Sequence, residues 1–301
     1  AAQADALRAY ALAFALWRFP QDEQAARGVV RYLDRFLTAP TGGFYAGQGA
    51  ARRIQAREDG LAIEGLAALA DATGDVELLR RAREAARFVL ANRGAPGGGF
   101  RRGEAPGPAS LGDTLAMGAA FLSLYGATAE PEWLARASDA AQVLEGLPAG
   151  TVAESASLAR FANLLSHWTG EERHRALAFR ALRLLLAVPP DPAGPPQPAV
   201  LLAADELARP PLHITVAGRP DDPAARALYA AARRTPGRYK RTDLWDRTAG
   251  PLRNTAVQFP SVKAAAAFIC SQTSCSLPIS KPADLERAAD RLAHAPSAQT
   301  P

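Results

Sequence analysis

The sequence has little of the material from which membrane anchors, metal centres and disulfide scaffolds are built. It contains no run of 18 or more apolar residues, which excludes a membrane-spanning helix. Its two cysteines are too few for a disulfide framework, and the cytoplasm is the expected compartment. No group of histidines, cysteines and aspartates has the spacing of metal ligands, so neither a metal nor another cofactor is expected.

Lysine is also scarce, since the 35 basic residues include only Lys240, Lys263 and Lys281. The formal net charge of +5 would permit an acidic partner. The arginines, however, are interspersed with glutamates along predicted helices, as in residues 80–84 (RRARE), which is typical of solvent-exposed helix faces. We therefore expect neither a nucleic acid nor a membrane as a partner.

What the chain has in abundance is one repeated pattern of two helices and a glycine-rich loop. Residues 58–91 show the pair of helices most clearly, because an apolar helix ends at a Thr-Gly turn and an arginine-rich helix follows. A glycine-rich loop at residues 94–100 then completes the unit. Similar segments before and after it predict four hairpins, at about residues 1–37, 58–91, 110–144 and 151–187.

Each hairpin has an apolar face that it cannot bury alone, so neighbouring hairpins must stack. An open solenoid and a ring are both compatible with this requirement. The first helix of each pair is nearly neutral and rich in small residues, whereas the second carries more charge. This difference favours a partial (α/α) toroid over residues 1–187, with the first helices inside and the second helices outside.

The character of the sequence changes after residue 187. Residues 188–209 form a predicted proline-rich linker, and residues 188–200 are not expected to be helical. Strands are predicted at about 212–218 and 264–270, and helices at about 222–234 and 282–292. We therefore expect a mainly α protein that ends in a small α/β unit at residues 210–295.

Acidic residues occupy the same register in three successive hairpins. Glu58, Asp113 and Glu154 each lie fifteen residues before a turn threonine, at the predicted start of an inner helix on the face of the glycine loops. Carboxylates that converge with arginines and aromatic rings suit a sugar-like ligand and could supply the acid and base of glycoside hydrolysis or another proton transfer. The predicted catalytic residues are Glu58, Asp59 and Asp113, and the predicted substrate-binding residues are Tyr45, Arg57, Arg101, Glu104 and Glu154.

The same acids have a second interpretation as helix caps. Asp113 and Glu154 each follow a Ser or Thr at capping-box spacing, and acids at helix starts are also favoured by the helix dipole. Glu58 differs, because Gln55 stands where the capping Ser or Thr would be. Glu58 and Asp59 are therefore the better candidates for chemistry.

Cys270 and Cys275 follow the last predicted strand and leave three alternatives open. They could form a local disulfide, act as a redox pair, or remain two thiols at the end of a strand.

Several segments together resemble a known family. They are residues 42–46 (GGFYA), 57–63 (REDGLAI), 111–118 (LGDTLAMG), 211–216 (PLHITV), 239–241 (YKR) and 267–270 (AFIC). The chain is similar in these segments to the C-terminal part of the thioredoxin-domain-containing family of YyaL and spermatogenesis-associated protein 20. The resemblance implies a six-hairpin (α/α) toroid, shared with glycosidases and sugar epimerases, preceded by a thioredoxin-like domain and about two hairpins that this chain lacks.

Two functions follow as expectations. The first is binding or processing of a carbohydrate-like small molecule at the glycine-loop face, which rests on the fold analogy. The alternative is a non-catalytic scaffold or interaction module that works with a thioredoxin-like domain or partner. Epimerases on helical toroids use pairs of histidines in the cleft, and none of His167, His174, His213 and His294 lies at the start of an inner helix, so that mechanism is not favoured.

Overall fold

The computed structural model describes residues 1–49, 52–186, 197–237, 239–255, 257–270 and 275–293. His294, residues 188–196 of the predicted linker and residues 294–295 of the expected α/β unit lie outside these ranges. Within them, no helix has both the length and the apolar character that crossing a bilayer requires.

The first nine helices are α1 (Ala2–Trp17), α2 (Pro20–Tyr32), α3 (Ala56–Thr73), α4 (Val76–Asn92), α5 (Leu111–Thr128), α6 (Pro131–Gly146), α7 (Val152–Thr169), α8 (Glu172–Leu186) and α9 (Pro198–Ala208).

The first eight helices form the four predicted hairpins, and their first helices stand side by side as an inner layer in the order α1, α3, α5, α7. These inner helices run parallel. The backbone N–H of Arg57 at the start of α3 donates to Asp113 at the start of α5, at 2.9 Å. At the other end, the Arg18 guanidinium after α1 donates to the carbonyl of Ala72 in α3 at 3.1 Å. Residues are buried on most sides of α3 but only along one stripe of α4, which confirms the partial (α/α) toroid with α3 inside and α4 outside.

The turns between the two helices of a hairpin repeat the same hydrogen bonds. Thr73, Thr128 and Thr169 each donate from the hydroxyl to the carbonyl four residues earlier, at 2.7, 2.7 and 3.1 Å. Each hydroxyl also accepts from the N–H two residues later, at 3.2 to 3.3 Å. The next residue has a left-handed backbone, with φ of 79°, 58° and 72°, and it is a glycine in two turns and Ala129 in the third. The three threonines therefore lie at the same height in the toroid, where the inner helices end.

The second half of the predicted linker is a helix. Residues 198–208 form α9, which packs against α7 and α8 and extends the inner layer. Proline occupies the first position of α9, where its missing N–H costs nothing, and the following residues are good helix formers. The prediction that residues 198–200 are not helical was therefore wrong, because it applied the helix-breaking rule to a proline that starts a helix.

The C-terminal unit contains a three-stranded sheet in the order β2, β1, β3. Its strands are β1 (Leu212–Ala217), β2 (Lys240–Trp245) and β3 (Ala266–Cys270), and its helices are α10 (Pro223–Arg234) and α11 (Pro282–Ala293). β1 pairs with β2 in parallel and with β3 in antiparallel orientation. The two helices cover one face around Ile214, Leu228 and Leu285. Four of the five elements were predicted and β2 was not. The domain boundaries stay a prediction.

The C-terminal unit lies on the turn face of the toroid, where the inner helices end. The Tyr229 hydroxyl donates to the carbonyl of Gly126 at 2.9 Å. Arg241 and Asn254 both donate to the carbonyl of His167, at 2.6 and 2.7 Å. The last carbonyls of a helix have no partner within the helix, so these side chains satisfy groups that the toroid alone leaves open. This docking places α10 and β2 across one end of the ring.

Candidate functional site

A cavity of about 630 Å³ lies between the inner helices and the C-terminal unit, within the usual size range of small-molecule sites. Its apolar lining includes Leu12, Leu61, Leu115, Phe161, Leu164 and Trp168. Its charged lining includes Asp5, Arg8, Arg57, Glu64, Asp71, Glu154, Arg160, Glu206, Arg233 and Lys240. Large apolar walls with a few charged groups are the usual composition of a ligand pocket.

One stripe of α3 faces the cavity along its whole length. It consists of Arg57, Leu61, Glu64, Ala68 and Asp71, which follow one another at intervals of four and three residues. At 1.5 Å per residue, the stripe extends about 21 Å from Arg57, near the glycine loops, to Asp71, near the turns. We call these two ends of the cavity the mouth and the floor.

Two ion pairs cross the middle of the cavity wall. Arg8 of α1 contacts Glu64 of α3 at 2.6 Å, and the Glu64 side chain is almost fully buried. Arg160 of α7 binds the Glu206 carboxylate of α9 with two hydrogen bonds, at 2.8 and 2.6 Å. Such bidentate pairs hold both side chains in a fixed orientation. Each pair therefore joins two neighbouring inner helices and fixes charged groups at the cavity surface.

The floor combines a carboxylate of the toroid with two cations of the C-terminal unit. Arg233 of α10 contacts Asp71 of α3 at 3.3 Å. Burial raises the pKa of Asp71 to about 6, although the nearby charges of Lys240 and Arg233 act in the opposite direction. Burial likewise lowers the pKa of Lys240, and Asp71 opposes that shift. Lys240 donates to the carbonyl of Thr235 at 2.8 Å and to that of Arg233.

The mouth contains two of the predicted substrate-binding residues, Arg57 and Glu154. Glu154 also closes a full capping box with Thr151, since each residue's side chain bonds to the other's backbone N–H. The capping interpretation is thus confirmed for Glu154. Glu154 also lies close to the start of α5, since a Cβ added at Gly112 would be 2.8 Å from its Oε1 and would require the carboxylate to shift. Glu154 therefore caps α7 and faces the cavity.

Asp113 joins two inner helices at their starts. Its Oδ1 accepts the backbone N–H of Arg57 at 2.9 Å, and the hydroxyl of Ser110 donates to its Oδ2. Ser110 also accepts the N–H of Asp113 at 3.2 Å, which is the expected cap. Asp113 is buried and does not line the cavity among the described residues. Its contacts stabilise the start of α3.

Asp59 fixes the first glycine loop. Its Oδ1 accepts the N–H of Phe44 at 2.7 Å, and its Oδ2 has no hydrogen-bond partner among the described residues. Thr114 occupies the equivalent position one hairpin later. Its hydroxyl accepts the N–H of Phe100, with a distance of 3.0 Å between the two atoms. Burial raises the pKa of Asp59 to about 8, although the hydrogen bond from Phe44 opposes the shift. Asp59 and Thr114 therefore perform the same structural task in two repeats.

The four remaining predicted site residues lie outside the cavity lining. Glu58 lies beside Ala1, where α1 begins, and Tyr45 lies 5.4 Å from the Arg52 guanidinium, ring centroid to carbon. Arg101 donates to the carbonyls of Asn92, at 2.7 Å, and Gly94, where α4 ends. Glu104 is 79% exposed and contacts Arg93 at 3.5 Å. Catalysis or substrate binding by these residues, and by Asp59 and Asp113, stays a prediction.

The described histidines have partners elsewhere. His167 is hydrogen-bonded to the Tyr239 hydroxyl at 3.1 Å, and His213 to Asp243 at 2.8 Å. His174 is hydrogen-bonded to Thr169 at 2.8 Å. Within the described ranges, no histidine lines the cavity, and no three side chains of the metal-binding kinds come together.

Comparison with solved structures identifies the architecture. Cellobiose 2-epimerase from Spirochaeta thermophila is 19% identical, with a TM-score of 0.53 over 62% of this chain and 58% of that one. A D-mannose isomerase is 14% identical, with a TM-score of 0.53 over 60% and 57%. The GH76 α-mannanase BT2949 of Bacteroides thetaiotaomicron is 16% identical, with a TM-score of 0.53 over 60% and 59%. The chain shares the α/α-toroid fold of these enzymes.

The chain spans between 57% and 59% of the length of these three proteins. No protein-family model matches the sequence, and no curated protein matches it significantly. At this level of identity the likeness establishes the fold of the toroid and not its activity.

The charged cavity residues that sequence reasoning missed are Asp5, Arg8, Glu64, Asp71, Arg160, Glu206, Arg233 and Lys240. A signal for two of them was present in α3. Glu64 and Asp71 share one helix face with Arg57, and charged residues on a shared face of an otherwise apolar inner helix indicate a surface that stays polar inside the ring. The cations of the C-terminal unit had no such signal, because only the docking brings them to the cavity.

Cys270 and Cys275 form a disulfide, which is one of the three alternatives left open by the sequence. Cys270 ends β3 and is buried, whereas Cys275 is partly exposed. The bond closes a loop between two residues five positions apart. A redox role for the pair stays a prediction.

Proposed function

We propose that the chain binds a small hydroxyl-rich molecule of mono- or disaccharide size in the central cavity. The observation that carries the proposal is the cavity itself, in which apolar walls alternate with charged groups held by ion pairs. Sugars present both apolar ring faces and hydroxyls, and they need both kinds of surface. The named comparison enzymes act on cellobiose, mannose and α-mannan, which supports a carbohydrate as the ligand class.

The proposed site extends from mouth to floor. Arg57 and Glu154 are proposed to contact the ligand at the mouth, and Glu64 and the Arg160–Glu206 pair in the middle. Asp71 is the proposed proton-transfer group, because a carboxyl with a pKa near neutrality can both accept and donate a proton there. This places the chemistry at the opposite end of α3 from Glu58 and Asp59.

The test is a titration calorimetry screen with glucose, mannose and cellobiose on the wild type and two phenylalanine variants. Ala68→Phe adds a ring inside the cavity, because Ala68 lines it. Ala135→Phe adds the same ring on the exposed surface of α6 and is the matched control. We expect a sugar that binds the wild type and Ala135→Phe but not Ala68→Phe. Equal binding by both variants would place the ligand outside the cavity and refute the proposal.

A second candidate function follows from the disulfide. As an alternative, we propose that the chain is a module that works with a thioredoxin-like domain, whose dithiol reduces the disulfide by thiol exchange at the partly exposed Cys275. In that reaction the partner's two thiols become a disulfide, and Cys270 and Cys275 receive the two electrons and two protons. Incubation with reduced thioredoxin, followed by thiol counting, should reveal two new thiols in this chain. No gain of thiols would refute the exchange.

A further inference from the structure

We infer that His213, held in place by Asp243, is the acid–base partner of the Cys270–Cys275 disulfide, so that the sheet of the C-terminal unit carries a thiol-exchange site. The inference rests on the second candidate function, the exchange with a dithiol, and assigns the residue that assists it. It is carried by the register of the sheet and by the hydrogen bonds of His213.

The two cysteines and the histidine lie side by side across the sheet. Cys270 of β3 is directly opposite His213 of β1, and Cys275 is directly opposite Cys270 on the other edge of β3. Directly opposite residues of antiparallel segments point to the same face, with their Cβ atoms about 4.5 to 5.5 Å apart. Cys270 and Cys275 belong to the apolar cluster on the face away from α10 and α11. The imidazole of His213 is therefore within reach of the Cys270 sulfur.

His213 is held by two hydrogen bonds. Its Nε2 lies 2.8 Å from Oδ2 of Asp243 and 3.0 Å from the hydroxyl oxygen of Thr215. A carboxylate bonded to one ring nitrogen fixes the orientation of the ring and keeps a proton on that nitrogen. Both bonds use Nε2, so Nδ1 is the nitrogen that can exchange a proton with a sulfur. A thiol beside a base that a third group orients is the usual arrangement of an activated cysteine.

The charges around His213 favour a thiolate beside it. Oδ2 of Asp243 also accepts a hydrogen bond from Nε of Arg241 at 2.7 Å, so one carboxylate serves both a guanidinium and the imidazole. Burial lowers the pKa of nearby His167 to about 4 and raises that of Tyr125 to about 12, so both are neutral at pH 7. Once the imidazole of His213 takes a proton, this group of residues has a net positive charge. A thiolate next to it restores neutrality.

The exchange balances in electrons and protons. A thiolate of the partner attacks the sulfur of Cys275, which is partly exposed, and the bond from that sulfur to Cys270 breaks. Cys270 leaves with the electron pair and receives the proton of the His213 imidazolium. The partner's second thiolate then attacks its own sulfur in the mixed disulfide, and Cys275 leaves and takes a proton from water. The partner loses two electrons and two protons, and this chain gains them.

The first test is the rate at which dithiothreitol and reduced thioredoxin open the disulfide of the whole chain. Samples are quenched in acid and alkylated, and the new thiols are counted by mass spectrometry. His213→Gln should slow both reactions about tenfold, because glutamine can bond to Asp243 but cannot transfer a proton. His174→Gln makes the same change in α8 of the toroid and should leave both rates unchanged. A loosened sheet would expose the disulfide and accelerate its reduction, so a slower rate cannot come from structural damage.

The second test begins without a change at His213. Cys275→Ser leaves Cys270 as the one thiol of the chain. An ordinary thiol is mostly protonated at pH 7, whereas a thiolate that pairs with an imidazolium persists there. We therefore expect the ultraviolet absorbance of a thiolate at pH 7 in Cys275→Ser, and its loss when His213→Gln is added.

The outcomes separate this inference from the candidate function on which it rests. Equal rates of reduction for the wild type and His213→Gln would overturn the role of His213, and so would the absence of thiolate absorbance at pH 7 in Cys275→Ser. The exchange itself would then stand if reduced thioredoxin still yields two thiols. If thioredoxin fails to reduce the wild type while His213→Gln slows the reaction with dithiothreitol, the thioredoxin-like partner is refuted and the role of His213 is supported.

Discussion

Replacing Asp59 by asparagine should change how the stability of the fold depends on pH. The folded chain raises the pKa of Asp59 to about 8 from an ordinary value of 3.8, mainly because the side chain is buried. The folded protein therefore retains a proton that the unfolded chain releases between these two values. This contribution to stability is complete below the ordinary pKa and is lost as the pH rises towards the folded pKa.

The magnitude follows from proton linkage. Between about pH 5 and about pH 7, this one carboxyl should lower the free energy of unfolding of the wild type by about 3 kcal/mol. The side chain of the Asp59→Asn variant would have no proton to lose, and its amide oxygen can still accept the N–H of Phe44. The variant should thus be close to the wild type in acid and become progressively more stable than the wild type as the pH rises.

The assay is urea unfolding of the wild type, Asp59→Asn and Asp139→Asn at several pH values across that range. Asp139 is exposed on α6, so its variant controls for the loss of a carboxylate in general. The difference between Asp59→Asn and the wild type should widen with pH, and the control should not follow it. A constant difference would show that Asp59 is ionised in the folded chain, and the structural account of its burial would be refuted.

Three further substitutions test the structural contacts. Thr114→Val removes the hydroxyl that accepts the N–H of the second glycine loop and should cost about 1 to 3 kcal/mol in urea unfolding, whereas Thr114→Ser should cost less. Cys275→Ser opens the bond to Cys270 and should cost about 2 kcal/mol, a difference that must vanish in reductant. Glu206→Gln weakens the buried pair between α9 and α7 and should cost about 3 kcal/mol, whereas exposed Asp205→Asn should be nearly neutral.

The hairpins could be predicted from the sequence because local chemistry determines them. A threonine that bonds back to its own helix, followed by a residue in left-handed conformation, ends three of the inner helices. Because Glu58 lies as far before its threonine as Asp113 and Glu154 lie before theirs, its position at the start of an inner helix was also predictable. Asp222, which caps α10, and the buried apolar run of β3 were equally local signals.

The direction in which a side chain points was not predictable from the level alone. Successive residues of a helix point about 100° apart. Arg57 therefore faces the cavity, Glu58 faces α1, and Asp59 faces the glycine loop. The spacing identified the correct turn of the helix. Which of the three consecutive residues in that turn faces the cavity depends on how the hairpins pack.

β2 was missed for a related reason. Arg241 and Asp243 are buried charged residues of β2, and they pair with each other at 2.7 Å. Arg241 also donates to the carbonyls of His167, Arg253 and Asn254. Asp243 also contacts His213 of β1 at 2.8 Å. His213 and the carbonyl partners of Arg241 lie on other segments that only the fold brings to β2, so the local hydrophobicity of the sequence does not reveal this strand.

The position of the C-terminal unit has a topological consequence for long ligands. Arg233, Tyr239 and Lys240 lie across the end of the ring where the inner helices finish. Because these residues close the turn end of the cavity, a polymer cannot run along the inner helices past the floor. If the natural ligand is part of a longer glycan, we expect the rest of that glycan to leave the cavity at the mouth or at the side where the partial toroid is not closed.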